Sequence, residues 1–201
     1  MWQSFDLTGT ALDDATQQIL DIDSWMRTFA FESLVQNYDV YSYGMEHNVT
    51  FYIRPSDGRI MAFPFDMDHS MQPPGWPGST SAGLRGGANL AKIIDLPHNL
   101  RIFYGHFDNF LDTSYNPTYM TSWINYFQSL TGENYSGNLS FLTARYNHAL
   151  TLLPSGVPFA SSSPSPPVPW PWCPFSTLLL PDHTRRDLRH RVRLGSAGRR
   201  D

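Results

Sequence analysis

The chain has 201 residues, of which 41% are hydrophobic and 16% charged, and its formal net charge is −4. This length suits one ordinary domain with a real core, and the acidic balance argues against a nucleic-acid-binding surface. No apolar run reaches the roughly 20 residues that a membrane-spanning helix needs. The first residues lack the basic and apolar regions of a signal peptide. The single cysteine, Cys173, excludes an intrachain disulfide and a cysteine-based zinc site.

The N-terminal part of the chain is predicted to be helical. Residues 1–20 are expected to be a linker whose second half, from Leu12 to Leu20, forms a short helix. From Ile22 the apolar residues recur at helical spacing, which predicts a longer helix that runs to about Tyr38. This helix would deliver Asp39 at its C-terminal end.

A β-hairpin is predicted directly after Asn48. Its first run, Val49–Arg54, is rich in β-branched and aromatic residues, and its return run is Arg59–Phe65. The intervening Pro55–Gly58 has the proline and glycine that a turn favours. Because a hairpin brings its two ends together, we expect Asn48 and Asp66 to lie close in space.

Oxygen-bearing side chains flank this hairpin. Asp66 and Asp68 are two positions apart in what we expect to be extended chain, so they should point to the same side. Asn48 stands at the other end of the hairpin, and Asp39 lies upstream. Mg²⁺ prefers oxygen ligands and usually takes one or two carboxylates, with water and substrate phosphates completing its shell. Protein kinases use such an order of residues: a loop Asp for the substrate hydroxyl, then an Asn and a second Asp for the metal.

Four short motifs accompany these residues: Asn37-Tyr38-Asp39, His47-Asn48, the turn from Pro55 to Arg59, and Phe63-Pro64-Phe65-Asp66-Met67-Asp68. Together they resemble the motifs of the spore-coat protein H (CotH) kinase family. Phe65 stands where that family commonly has Trp, which exchanges one aromatic residue for another. The resemblance continues to about Ala160.

The resemblance implies an α+β fold, the large lobe of a protein-kinase-like domain, with a helix, a catalytic loop, a β-hairpin and then helices. It also implies that the parent protein binds ATP with Mg²⁺ or Mn²⁺ and phosphorylates Ser or Thr of surface or spore-coat proteins, outside the cell or on the cell or spore surface. Carried over by the same resemblance, Asp39 is the catalytic Asp, Asn48 and Asp66 bind the cofactor and the metal, and Asp68 is an auxiliary metal ligand.

The chain beyond Asp68 is predicted to form a long loop and then four helices. Residues 71–87 are rich in Pro, Gly and Ser and are expected to form a loop beside the site. The predicted helices are Asn89–Asp95, Leu100–Leu111, Pro117–Leu130 and Leu139–Leu153. Aromatic residues at helical spacing are expected in the core, namely Trp25, Phe29, Tyr104, Phe107 and Trp123. The predicted inward face of the helix Pro117–Leu130 consists of Tyr119, Met120, Trp123, Ile124 and Phe127.

The composition changes abruptly at Pro154. Residues 154–201 are rich in Pro and Ser and end in an Arg-rich run, which predicts a disordered tail. Two explanations stay open: a natural disordered tail, or a shift of the reading frame near Ala160, which resequencing of the locus would settle. The kinase-like domain is therefore expected to span residues 21–153.

A kinase also needs a small lobe, with a Gly-rich hairpin over the phosphates and a lysine. The one lysine, Lys92, lies downstream of Asp39, so the small lobe is expected to be largely missing and the chain to be a fragment of a longer protein. Two other functions stay open. One is a non-catalytic surface module or pseudokinase. The other is a metal-dependent glycosyltransferase with an Asp-x-Asp motif at 66–68, although the alternating strands and helices of such enzymes are not evident.

We expect negligible phosphotransfer by this chain alone, because the residues that position the nucleotide in a small lobe are not found upstream of Asp39. Incubation with radiolabelled ATP measures this directly. Robust autophosphorylation that depends on Asp66 would contradict the expectation.

Overall fold

The computed structural model describes residues 6–43, 45, 47–71, 83–84 and 88–155. Within these ranges the chain has an α+β fold with six α-helices and one two-stranded antiparallel sheet. The elements in chain order are α1 Gly9–Ile19, α2 Ile22–Val35, a 3₁₀ turn Tyr41–Tyr43, β1 Val49–Ile53, β2 Ile60–Pro64, α3 Ala88–Ile94, α4 Pro97–Asp112, α5 Pro117–Thr131 and α6 Ser136–Leu152.

Two segments predicted from the sequence, a loop and a tail, lie mostly outside the described residues. Only three positions of the predicted loop 71–87, which are 71, 83 and 84, belong to the described residues. The predicted tail lies outside them from residue 156 onward, and so does the proposed frame shift near Ala160. No helix in the described ranges is long and apolar enough to cross a membrane.

The ends of the first two helices differ from the predicted ones. Helix α1 begins at Gly9 rather than Leu12. Helix α2 ends at Val35 rather than near Tyr38, because Gln36 adopts a left-handed backbone with φ 53° and its N–H closes the last turn on the carbonyl of Glu32. Asp39 therefore lies in the loop after the helix and not at the helix end.

Helix α2 is the buried centre of the fold. Eleven of its 14 residues are buried, and the side chain of Asp21 caps its first turn by accepting a hydrogen bond from the N–H of Ser24. The helix packs on one side against α4 and on another against β2. The buried apolar residues of this core include Trp25, Met26, Phe29, Leu34, Ala62, Phe103, Phe107 and Leu142.

Polar contacts hold the two-stranded ribbon of β1 and β2 on α2. The carbonyl of Ala62 accepts hydrogen bonds from the hydroxyls of Ser24 at 2.9 Å and Thr28 at 2.8 Å. The indole N–H of Trp25 donates to the carbonyl of Ile60 at 2.9 Å, and its ring stacks on Phe51 with centroids 5.5 Å apart. These contacts hold the ribbon against the surface of α2 and also fix its position along the helix axis.

The ribbon confirms the predicted hairpin. Its pairing runs from Val49 opposite Pro64 to Ile53 opposite Ile60. Gly58 has φ 72°, the left-handed conformation for which glycine was expected in the turn. The register places Asn48, which precedes β1, at the same end of the ribbon as the residues that follow β2.

Helix α5 corrects an expectation about the core. None of its residues is buried, and the residues Trp123 and Phe127 are 38% and 48% exposed. Among the described elements it packs mainly against α6. The inward face predicted for this helix is therefore wrong for Tyr119, Trp123 and Phe127, although Met120 packs against the core. A helical stripe identifies an apolar face but not the element that covers it.

A substitution in the centre of α2 should be far more damaging than one on α5. We expect Leu34→Ala to lower the free energy of unfolding by about 2 to 5 kcal/mol, since Leu34 is fully buried and truncation leaves a cavity. Leu130→Ala is the matched control, because Leu130 is 63% exposed, and it should change stability by roughly 0.5 kcal/mol or less. Urea denaturation of both variants checks this, and equal losses would contradict the assignment of the core.

Candidate functional site

The structure brings Asp39 and Asn48 into direct contact. The side-chain amide of Asn48 donates through Nδ2 to the carbonyl oxygen of Asp39 at 2.7 Å and to its Oδ2 at 3.2 Å. The other carboxylate oxygen of Asp39, Oδ1, lies 2.8 Å from Nε2 of His47. Both carboxylate oxygens of Asp39 and its backbone carbonyl oxygen are therefore hydrogen-bonded. These bonds give the side chain a defined orientation, which a catalytic carboxylate requires.

Asp66 lies at the same end of the ribbon, but its backbone is not the extended chain that the sequence predicted. Strand β2 ends at Pro64, and Asp66 has a left-handed φ of 52°. The prediction of extended chain at Asp66 is therefore wrong, and with it goes the reason to expect Asp66 and Asp68 on one side. Asp68 has a side chain that is 67% exposed and lies 3.8 Å from His69.

Left-handed backbone is concentrated in this part of the chain. The non-glycine residues with positive φ among those described are Gln36, Asn48, Asp66 and Met71. Such conformations carry strain, least for Asn and Asp, and they cluster at functional sites in proteins. Both residues predicted to hold the cofactor and metal, Asn48 and Asp66, belong to this group.

Asn37 links the loop after α2 with the segment after β2. Its Nδ2 donates to the carbonyl of Asp66 at 3.1 Å and to Sδ of Met67 at 3.4 Å, while its Oδ1 accepts from the N–H of Asp39 at 3.2 Å. No sequence pattern assigned a role to Asn37. The one available signal was its place in the Asn-Tyr-Asp motif.

The two histidines near the acidic residues make hydrogen bonds. His47 bonds to Asp39, and Nδ1 of His69 lies 2.9 Å from the hydroxyl of Tyr38. The second contact adds another link between the loop that carries Asp39 and the turn that carries Asp68.

A buried polar cluster supports the loop from the side of α2. Oε2 of Glu32 accepts a hydrogen bond from Ser42 at 2.6 Å, and Nε2 of Gln36 donates to the hydroxyl of Tyr43 at 2.9 Å. Both partners lie in the 3₁₀ turn that follows Asp39. Burial raises the pKa of Glu32 to about 7. No sequence pattern identified this cluster, because its members meet only when the chain turns back on α2.

Arg145 of α6 reaches the same region and was also missed. Its guanidinium is fully buried, and Nη2 donates to the carbonyl of Ser33 at 2.8 Å and to that of Gly83 at 3.3 Å. Burial lowers its pKa. One side chain thus connects α6 with the end of α2 and with the segment that precedes α3.

The donor set fits a small hard cation. Because Nδ2 of Asn48 is engaged by Asp39, the atom that Asn48 can offer a cation is Oδ1, the atom that binds hard cations. Asp66, which is exposed at the same end of the ribbon, would offer a carboxylate. No group of three or more His, Cys, Asp or Glu side chains suited to a metal occurs in the described ranges. An amide and a carboxylate together match Mg²⁺, which keeps several waters and takes substrate phosphates.

Comparison with known proteins gives one family. A family model described as CotH kinase protein matches residues 6–135, which is more than half of the chain. No curated protein matches the chain. The matched range contains Asp39, Asn48, Asp66 and Asp68, so the family resemblance stated from the motifs is confirmed.

Glu32 should make stability depend on pH. The pKa of Glu32 is about 7 in the folded chain, against 4.5 in the unfolded chain. The contribution of Glu32 to stability is therefore complete below pH 4.5 and is lost as the pH rises through about 7. We expect the free energy of unfolding to fall between pH 4.5 and 8 by an amount on the order of 3 kcal/mol. In Glu32→Gln this fall should disappear, and the variant should be more stable than the wild type at pH 8.

Urea denaturation at pH 5 and pH 8 measures the effect. Glu133→Gln is the matched control, because Glu133 is exposed and the chemical change is the same. A wild-type slope that persists unchanged in Glu32→Gln would contradict the assignment to Glu32.

Proposed function

We propose, because the chain belongs to the CotH kinase family, that it is part of an atypical protein kinase that uses ATP and a divalent cation. Asp39 is assigned to the substrate hydroxyl, Asn48 and Asp66 to the cation and nucleotide, and Asp68 to an auxiliary role. The observation that carries the proposal is the contact of Asn48 with Asp39 at the end of the ribbon from which Asp66 emerges.

Asp39 is proposed to orient the attacking hydroxyl and to accept its proton. The amide of Asn48 holds the carbonyl and Oδ2 of Asp39, which leaves Oδ1 as the oxygen that a substrate can address. In the structure His47 is the partner of Oδ1, and its side chain is 52% exposed. A substrate hydroxyl would take the place of His47 at this oxygen.

Asn48 and Asp66 are proposed to hold Mg²⁺ or Mn²⁺ through the amide oxygen and the carboxylate. When bound, the cation would neutralise charge on the β- and γ-phosphate oxygens of ATP. Phosphoryl transfer needs little covalent chemistry from the protein, so catalysis depends on how well these residues are positioned. Their left-handed backbone and the hydrogen bonds around them support such a role.

The wider proposal follows the family. The order of a buried helix, a loop, a ribbon and further helices supports the large lobe of a kinase-like domain. The substrates proposed are Ser or Thr hydroxyls of surface or spore-coat proteins, and the proposed location is the cell or spore surface.

The chain should bind Mg²⁺ and nucleotide through Asp66. With AMP-PNP and Mg²⁺ at one hundred times Kd, binding to the folded state adds about 2.7 kcal/mol, which raises Tm by roughly 5 to 10 °C for a protein of this size. Asp66→Asn should lose most of this shift. Asn tolerates the left-handed backbone at position 66, so the variant should fold normally. Differential scanning fluorimetry with and without Mg²⁺ measures the shift.

Asp14→Asn is the matched control, because Asp14 is exposed on α1 and the substitution is the same. It should keep the full shift. A shift of equal size in Asp66→Asn would contradict the assignment of Asp66. Indifference of the wild type to nucleotide and metal would favour the non-catalytic module, and a shift with a nucleotide sugar but not with AMP-PNP would favour the glycosyltransferase.

A further inference from the structure

The amide of Asn37 contacts both acidic segments of the candidate site. It accepts from the N–H of Asp39 on one side and donates to the carbonyl of Asp66 and to Sδ of Met67 on the other. Its side chain is fully buried. We propose that Asn37 is a positioning residue that sets the affinity of the site for the divalent cation. This inference rests on the proposed function, since it concerns the same cation.

The chemistry of the two partners explains why an amide stands at this position. The N–H of Asp39 needs an acceptor, and the carbonyl of Asp66 needs a donor. A neutral side-chain amide offers both at once, whereas a carboxylate only accepts and an aliphatic side chain does neither. A neutral group also satisfies both partners without placing a further charge beside Asp39 and Asp66.

The bond to the carbonyl of Asp66 acts on the orientation of the carboxylate. Asp66 has a left-handed backbone and follows the end of β2, so its peptide has no partner strand to fix it. The donor from Asn37 holds that peptide, and with it the direction in which the side chain leaves the backbone. Groups that orient a metal ligand without touching the metal commonly change metal affinity by about 10- to 100-fold when they are removed.

The test is the binding of Mn²⁺ alone to the full chain, measured by the electron paramagnetic resonance of free Mn²⁺. Asn37→Leu keeps approximately the size of the side chain and removes its hydrogen bonds. We expect its Kd for Mn²⁺ to rise at least tenfold. Asn99→Leu is the matched control, because Asn99 is equally buried and donates to the carbonyl of Ile93 at a position outside the site.

Both variants should lose stability, but only Asn37→Leu should lose affinity when measured well below its Tm. A Kd unchanged in Asn37→Leu, or raised equally in Asn99→Leu, would overturn the inference. The proposed function fails in a different way: wild type that does not bind Mn²⁺, or Asp66→Asn that binds it as wild type does, overturns the cation site itself and the inference with it.

A second measurement covers the case in which Asn37→Leu does not fold. Mg²⁺ is titrated into the ¹⁵N-labelled wild-type chain and followed by nuclear magnetic resonance. The side-chain amide of Asn37 and the backbone amide of Asp39 should shift with the same Kd as the backbone amide of Asp66. The side-chain amide of Asn99 should not shift. An Asn37 resonance that stays as constant as that of Asn99 would overturn the inference.

Discussion

The hydrogen bonds at the carbonyl of Ala62 are the constraint on which the candidate site depends. This buried carbonyl accepts from two hydroxyls of α2, those of Ser24 and Thr28, and a buried backbone acceptor is costly to leave without donors. The ribbon therefore cannot slide along α2 without losing both bonds. Because the pairing of β1 with β2 is fixed as well, the position of α2 determines where Asn48 and Asp66 lie relative to the loop that carries Asp39.

Side-chain amides hold two of the acidic residues of the site, Asp39 and Asp66, and His47 contacts Asp39 as well. Asn48 donates to Asp39, and Asn37 donates to the carbonyl of Asp66. A lysine or arginine placed here would attract both carboxylates, but it would also occupy the place of a cation. Neutral donors fix the geometry and leave the negative charge available for a cation. This division of roles suits a site whose chemistry is proposed to depend on positioning and charge.

The sequence predicted those parts of the molecule that local patterns determine. The hairpin followed from β-branched runs around a turn with Gly58, and the family followed from short motifs. The end of α2 did not, because Gln36 is not a residue type that signals a left-handed cap. The exposure of Trp123 depends on which element covers α5, and the burial of Glu32 and Arg145 depends on contacts between distant segments. Such features follow from tertiary packing, which periodicity along one chain does not specify.

The left-handed backbone at Asn48 and Asp66 has a consequence for divergence within such a family. Glycine adopts this conformation more easily than any other residue, so a change to glycine at either position would relieve strain rather than create it. The polypeptide would still fold, and its ribbon would look the same, while the proposed oxygen donors would be gone. Loss of the proposed cation site by this route would leave no trace in the architecture. A relative with the same fold must therefore be judged at these two positions before any activity is ascribed to it.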